Sequence, residues 1–256
     1  MSTKIFLLGG TEDGRKLGEM LSCEGFDVTV SVVSDYGRQL IETCAAVKVN
    51  AKALDKEELT AILVDEKFDC VVDASHPYAK NVSSNAIEAA ACAGIDYIRY
   101  ERAEIELTYD KIILVDSYEE AAEKSAALGE NIFLTTGSRN LKVFTESAAM
   151  IGKKLTVRVL PTAEVIAECE ALGLSPKQII AIQGAFSVEL NAEMFKHAKA
   201  DVIVTKNSGR IGGADTKLEA AKLLNLPVVM INRPKIQYPN LATTFEEVLK
   251  FLTERK

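Results

Sequence analysis

The chain belongs to the α/β class, as two units that each carry a mainly parallel sheet flanked by helices. Three observations predict this. Short apolar runs such as Ile5–Leu8 and Cys70–Val72 alternate with segments of helical period. Polar clusters with glycines stand directly behind the apolar runs. After residue 130 the alternation starts again, so residues 1–130 and 131–256 read as two domains of similar layout.

Ile5, Phe6, Leu7 and Leu8 form an unbroken apolar strand, as expected where a parallel sheet is covered on both faces. Gly9 and Gly10 then turn the backbone and leave amides open to an anion at the start of a helix marked by Leu17, Met20 and Leu21. Gly25 ends that helix, and Val28–Val33 supplies the second strand of a βαβ unit. This is Rossmann-like, although the glycine fingerprint is incomplete: Gly9, Gly10 and Gly14 give GG-x-x-x-G. The second strand leads to Ser34, Asp35, Tyr36, Gly37 and Arg38, where such folds meet the adenine ribose. Asp35 suits a free 2′-hydroxyl and Arg38 a 2′-phosphate, so NADH and NADPH both stay open.

A short strand near Ala46–Val49 and a helix over Asp55–Glu66 precede the strand Cys70–Val72 and the loop Asp73–Ala79, DASHPYA. Pro77 fits the first turn of a helix that Ser75 or His76 caps, while a histidine beside a tyrosine at a strand's carboxyl end also reads as a site. Val82, Ala86, Ala90 and Ala93 give the next helix a small-residue face for packing on a sheet. Strands over Asp96–Tyr100 and Lys111–Val115 and a helix over Ser117–Leu128 complete the first domain, with the boundary at Gly129–Asn131. Strands over Ile132–Thr135, Leu155–Val159, Ile179–Ile182, Val202–Val204 and Val228–Ile231 form the second, and a last helix over Thr244–Glu254 packs on either.

With 48% hydrophobic and 26% charged residues the composition is that of a globular protein, and no apolar run approaches the length of a membrane span. The expected location is cytoplasmic. A net charge of −7 argues against general nucleic-acid binding. The charge is unevenly spread, with a net of −12 over residues 1–130 and +5 over 131–256, so an anionic ligand finds its counter-charges in the second half. Five cysteines without a C-x-x-C pair read as reduced core thiols, and His76 and His197 are too far apart in sequence to suggest a metal site. Cys169 and His197 read as structural. No G-x-S-x-G elbow and no Y-x-x-x-K pair is present, which leaves a nucleotide-dependent reaction without a covalent nucleophile.

In an open parallel sheet ligands bind at the carboxyl edge, and the unusual polar clusters all fall there. Thr136, Gly137, Ser138 and Arg139 follow one strand, Arg158 to Pro161 another, and Gln183, Gly184 and Phe186 a third. Lys206, Asn207, Ser208, Gly209 and Arg210 follow a fourth, ahead of Gly212, Gly213 and a capping pair Thr216 and Glu219; Arg233 follows the fifth. Thr136 to Arg139 can grip a carboxylate or phosphate by charge-assisted hydrogen bonds.

Taken together, GGTEDGR (Gly9–Arg15), SDYGR (Ser34–Arg38), DASHPYA, RYER (Arg99–Arg102), LTTGSRNL (Leu134–Leu141), RVLP (Arg158–Pro161), QGAFSVELN (Gln183–Asn191), TKNSGRIGG (Thr205–Gly213) and NRP (Asn232–Pro234) resemble the precorrin-6A reductase family, including its cobalt-precorrin counterparts, over nearly the whole chain. Two positions depart from it: Ala185 stands where proline is expected and Asn232 where a second arginine is common.

The resemblance implies reduction of one macrocycle double bond by hydride from NADPH or NADH, with a proton delivered to the neighbouring carbon, and no metal bound by the protein. Gly9, Gly10, Thr11, Glu12, Ser34, Asp35, Gly37, Arg38, Ser75, His76 and Pro77 are the expected cofactor contacts. The substrate is a tetrapyrrole-derived polycarboxylate. Its expected contacts are Thr136, Gly137, Ser138, Arg139, Arg158, Gln183, Gly184, Phe186, Lys206, Asn207, Ser208, Gly209, Lys217 and Arg233, in a cleft between the domains. His76, Tyr78 and Lys206 are the candidate proton donors. Expected partners are this small molecule and, transiently, neighbouring enzymes of the pathway, with no nucleic acid and no membrane. A non-catalytic NAD(P) sensor and another two-domain tetrapyrrole synthase or isomerase are the alternatives.

Overall fold

A computed structural model describes residues 2–32, 48–50, 54–104, 106–209 and 212–254. The expected ribose contacts Ser34, Asp35, Gly37 and Arg38 lie outside the described residues, as does Arg210. In chain order the first elements are β1 (Lys4–Leu8), α1 (Glu12–Cys23), β2 (Asp27–Ser31), β3 (Lys48–Asn50), α2 (Lys56–Asp65), β4 (Cys70–Asp73), α3 (Lys80–Ala93) and β5 (Asp96–Tyr100). Then come β6 (Ile112–Val115), α4 (Tyr118–Leu128), β7 (Asn131–Leu134), α5 (Leu141–Thr145), β8 (Lys154–Val159), α6 (Ala163–Ala171), β9 (Ile179–Ala181), α7 (Val188–His197), β10 (Val202–Lys206), α8 (Ala214–Leu223), β11 (Val228–Ile231), β12 (Leu241–Ala242) and α9 (Phe245–Thr253).

Two six-stranded sheets result, ordered β12-β5-β4-β1-β2-β3 and β6-β11-β10-β7-β8-β9, with every pairing parallel. The compact units are residues 1–103 with 234–256, and residues 104–233. They divide elsewhere than at residue 130. β6 pairs with β11, Ile112 opposite Val228, so the last strand assigned to the first domain belongs to the second sheet. β12 pairs with β5, Leu241 opposite Arg99, and returns the carboxyl-terminal segment to the first unit. The charge split changes with the boundary: residues 104–233 hold 15 Lys and Arg against 17 Asp and Glu. Positive character is therefore a property of one edge of this unit, not of the whole.

In the first unit β1 is buried on both faces, as its apolar run requires. Ile5 and Leu7 pack with Leu17 and Leu21 of α1 and with Val248 and Leu252 of α9. Phe6 and Leu8 pack on the other face with Leu59 and Leu63 of α2 and with Ala86 and Ala90 of α3. The small-residue face of α3 thus lies on the sheet as expected. In the second unit Phe133, Ile203 and Met230 meet Ala192 and Phe195 of α7 and Leu218 of α8.

Two local expectations are corrected. Pro77 lies in a turn ahead of α3, whose N-cap is Ala79 without a side-chain bond. Ser75 instead faces Arg99, and His76 Nδ1 accepts from the Tyr78 amide at 3.2 Å. Thr216 does not cap a helix: Gly213, at φ +64°, is the N-cap of α8, and the Thr216 hydroxyl, already inside the first turn, donates back to the Gly213 carbonyl at 3.3 Å.

Candidate functional site

Each sheet has one switch point, where successive connections leave in opposite directions and open a crevice at the carboxyl edge. In the first unit it lies between β1 and β4, and in the second between β7 and β10. Gly9 to Glu12 and Ser75 to Pro77 stand at the first, Thr136 to Arg139 and Lys206 to Gly209 at the second, and Arg158, Gln183, Gly184, Phe186 and Arg233 at neighbouring strand ends.

Beside β1, the Gly9 amide donates to the Ser31 carbonyl at 2.9 Å, and a Cβ on Gly9 would stand 2.6 Å from Val30 Cγ1. Gly10 has φ +97° and open space where a Cβ would be. Among the described residues no acceptor takes the amides of Gly10 and Thr11. Thr11 caps α1, accepting from Gly14 N at 3.0 Å, and its hydroxyl donates to the Ala74 carbonyl at 3.1 Å. The glycine loop and the loop after β4 are thereby tied together. Open amides at a helix start, next to a glycine whose Cβ space is vacant, fit the pyrophosphate of a dinucleotide. Glu12 faces outward in an exposed pair with Lys16 at 2.6 Å, which lowers its pKa.

The loop after β4 rests on a buried polar network. Asp73 and Arg99 are 0% and 1% exposed and meet at 2.8 Å, Oδ1 to Nη1. Asp73 also accepts from Ser75 N, Ser83 Oγ and Tyr97 Oη at 3.0, 2.6 and 2.8 Å. Arg99 Nη1 donates to Ser75 Oγ at 3.1 Å and its Nε to Glu101 at 3.1 Å, while the Tyr238 ring lies 5.5 Å from the guanidinium carbon. Burial raises Tyr97 far above the ordinary phenol range, so it is a donor to Asp73 throughout. A small cleft lined by Asp13, Ser75, Pro77, Tyr100 and Arg102 opens beside this network. There Arg102 Nη1 reaches Asp13 Oδ2 at 2.6 Å, and burial raises the Asp13 pKa against the pull of that arginine.

At the second switch point Thr136 is buried, and its Oγ1 has no partner among the described residues. Gly137 at φ +78° sits in the turn that leads to the exposed Arg139. Lys206 ends β10, where burial and the neighbouring Arg139 lower its pKa to about 8. Lys217 of α8 donates to the Gly212 carbonyl at 2.9 Å; burial, then Arg158 and Lys206, lower it to about 7, partly offset by Asp215. Arg158 near the end of β8 is lowered to about 10 by burial and remains a cation at neutral pH. Cations that depress one another's pKa in this way make a ready anion site.

Other expected contacts support the edge. Asn207 and Ser208 are buried: Asn207 Nδ2 donates to Glu104 at 3.1 Å, and the Ser208 hydroxyl to the Gly212 carbonyl at 3.3 Å. Gly209, directly after them, has φ +76°. Arg233 donates through Nε to the Asn207 carbonyl at 2.8 Å, with Glu104 at 3.7 Å, so it braces the loop. Asn232, one of the departures, donates to Asp116 at 2.7 Å. Gln183 and Gly184 are exposed, and the Phe186 ring folds over Gly184, whose Cβ would come within 2.2 Å of it. Neither Arg99 nor Asn191 was among the expected cofactor or substrate contacts. Their sole signal was a polar residue in an otherwise apolar strand or helix face.

Among the described residues no group of His, Cys, Asp and Glu could hold a metal ion, and no helix is long and apolar enough to cross a membrane.

Two parallel sheets, one edge open to a nucleotide and the other cationic, define a Rossmann-like α/β enzyme. Comparison with known proteins carries the assignment further. The family model for precorrin-6x reductase CbiJ/CobK matches residues 4–253. A cobalt-precorrin-6A reductase of Priestia megaterium is 45% identical over 98% of each chain, and one of Methanocaldococcus jannaschii is 38% identical over 98% of this chain and 99% of its own. The solved structure of CobK precorrin-6A reductase superposes with a TM-score of 0.79 at 26% identity, covering 98% of this chain and 96% of that one. The chain belongs to the precorrin-6x reductase family: it is an oxidoreductase of cobalamin biosynthesis, in place of the sensor and the synthase or isomerase kept open above.

Proposed function

We propose that the chain reduces cobalt-precorrin-6A, using NADPH or NADH held by the first unit and gripping the ring's carboxylate arms with the carboxyl edge of the second. The observation that carries this reading is the contrast between the two edges. One presents open amides at a helix start, and the other gathers Arg158, Lys206 and Lys217, with Asp215 partly opposing the lowering of Lys217. The relatives named for cobalt-precorrin-6A support a cobalt-bearing ring, and a cytoplasmic location is part of the same proposal.

When bound, the nicotinamide supplies a hydride, which with one proton saturates one carbon–carbon double bond of the macrocycle. The residues of this chain do the rest. The open amides of Gly10 and Thr11 receive the pyrophosphate while Gly9, bonded to Ser31, sets the turn, and Ser75 to Pro77, pinned by Asp73 and Arg99, form the adjoining wall of the nucleotide crevice. Three side chains hold a proton within these loops. His76 accepts the Tyr78 amide at Nδ1, which places its neutral-state proton on Nε2. Tyr78 carries a phenol. Lys206, lowered to about 8, can give up its proton near neutral pH and is the one we assign as donor.

The test is an oxidation assay with each nicotinamide on cobalt-precorrin-6A and on the metal-free ring. Turnover with the cobalt form is expected, and no oxidation with either ring refutes the proposal. Arg139→Ala and Lys206→Ala are expected to raise the KM for the ring more than that for the cofactor; equal losses of both contradict the division of labour.

A further inference from the structure

Arg158 is buried in a manner unlike Arg99. It is 7% exposed, yet among the described residues no carboxylate approaches it. Its Nη1 donates to Asn191 Oδ1 at 2.7 Å and passes Met194 Sδ at 3.9 Å, and the Phe186 ring lies 4.5 Å from the guanidinium carbon. Nε and Nη2 find no acceptor among the described residues. A buried cation answered by one neutral amide and a ring face is under-compensated, because neither returns what desolvation of the charge costs.

Asn191 is itself fixed in one orientation. It is 0% exposed, and its Nδ2 donates to the carbonyls of Ser187 and Phe186 at 2.8 and 3.4 Å and to Thr216 Oγ1 at 3.4 Å. Only the oxygen is left for the guanidinium. An aspartate has the same shape and would pair fully with Arg158. An asparagine aims the guanidinium and leaves its charge unspent.

We propose that Asn191 is a positioning residue that holds Arg158 without neutralising it, reserving that charge for a carboxylate arm of the ring. This rests on the reading of the second unit's edge as the ring site. A carboxylate placed on this face of α7 fills the subsite from within and competes with the substrate. Met194 offers the cleaner place to introduce one, since residues three apart on a helix share a face and its side chain makes none of the amide bonds of Asn191.

The experiment measures the KM for cobalt-precorrin-6A and for the cofactor, together with the melting temperature, in Arg158→Gln, Met194→Glu, Met194→Gln and Asn191→Asp. Losing a charge-assisted bond to the ring raises its KM about tenfold or more, so Arg158→Gln, Met194→Glu and Asn191→Asp are each expected to show that rise with the cofactor KM unchanged. Met194→Gln is expected to stay within about twofold of the parent. Equal ring KM in the folded Met194→Glu and Met194→Gln proteins overturns the proposal, as does a folded Asn191→Asp protein with the parent's ring KM. An unchanged ring KM in Arg158→Gln defeats instead the underlying reading that the ring is bound through this edge.

Discussion

Replacing Arg99 by methionine should unfold the first unit far more readily than removing any surface ion pair. The substitution preserves an apolar stem but leaves the Asp73 carboxylate, 0% exposed, with Ser75 N, Ser83 Oγ and Tyr97 Oη as its remaining donors. Breaking a buried pair by removing one partner costs about 3–5 kcal/mol, since the surviving charge stays desolvated. The exposed pair Lys16–Glu12, with side chains 58% and 49% accessible, is screened by solvent and contributes little by comparison. The chain has no tryptophan, so far-UV circular dichroism in urea is the suitable probe. Arg99→Met should lower the melting temperature by roughly 10 °C and Lys16→Ala by a few degrees at most. Adding Asp73→Asn to Arg99→Met removes the stranded charge, so the double variant should be less destabilised than the sum of the two singles. Because Arg99 and Asp73 also hold Ser75, the folded fraction of Arg99→Met should show a raised KM for the cofactor ahead of that for the ring. A loss below about 1 kcal/mol, or strict additivity in the double variant, would refute the view that this pair is an integral support of the loop.

Gly9→Ala sets a Cβ 2.6 Å from Val30 Cγ1, between β1 and β2, and should cost about 1–3 kcal/mol and weaken cofactor binding. Gly10→Ala meets no neighbour but must adopt φ +97°, so its cost should be nearer about 1 kcal/mol; urea midpoints separate the two. Lys217 and Lys206 lose their protons near 7 and 8, while the ring's carboxylates stay ionised, so ring affinity should fall as pH rises through that window. A KM–pH profile checks this, and Lys217→Gln should flatten its lower limb. The same depression means that between about 7 and 10 the unfolded chain binds the extra proton. The cost of burying Lys217 is therefore full below pH 7 and fades as pH rises toward 10, visible as a rising urea midpoint.

Much of this protein is local and could be read from the chain. Most of the strands, the turn at Gly9 and Gly10 and the gathering of polar loops behind strands follow from periodicity and turn chemistry, which neighbouring residues encode between themselves. Tertiary structure decided which sheet each strand joins. Four apolar residues such as Ile112–Val115 carry no mark of their partner, and β6 lies in the second sheet because Val228–Ile231, more than a hundred residues later, pairs with it. The return of Leu241–Ala242 to β5 was hidden for the same reason, and with it the Tyr238 ring over Arg99. The sites divide likewise. The sequence named Arg158 and Lys206 as cations at strand ends. That Asn191 aims one, that Arg139 depresses the other, and that Arg233 braces a loop depend on contacts between distant segments, whose energies arise only once burial has removed the water that would otherwise screen them.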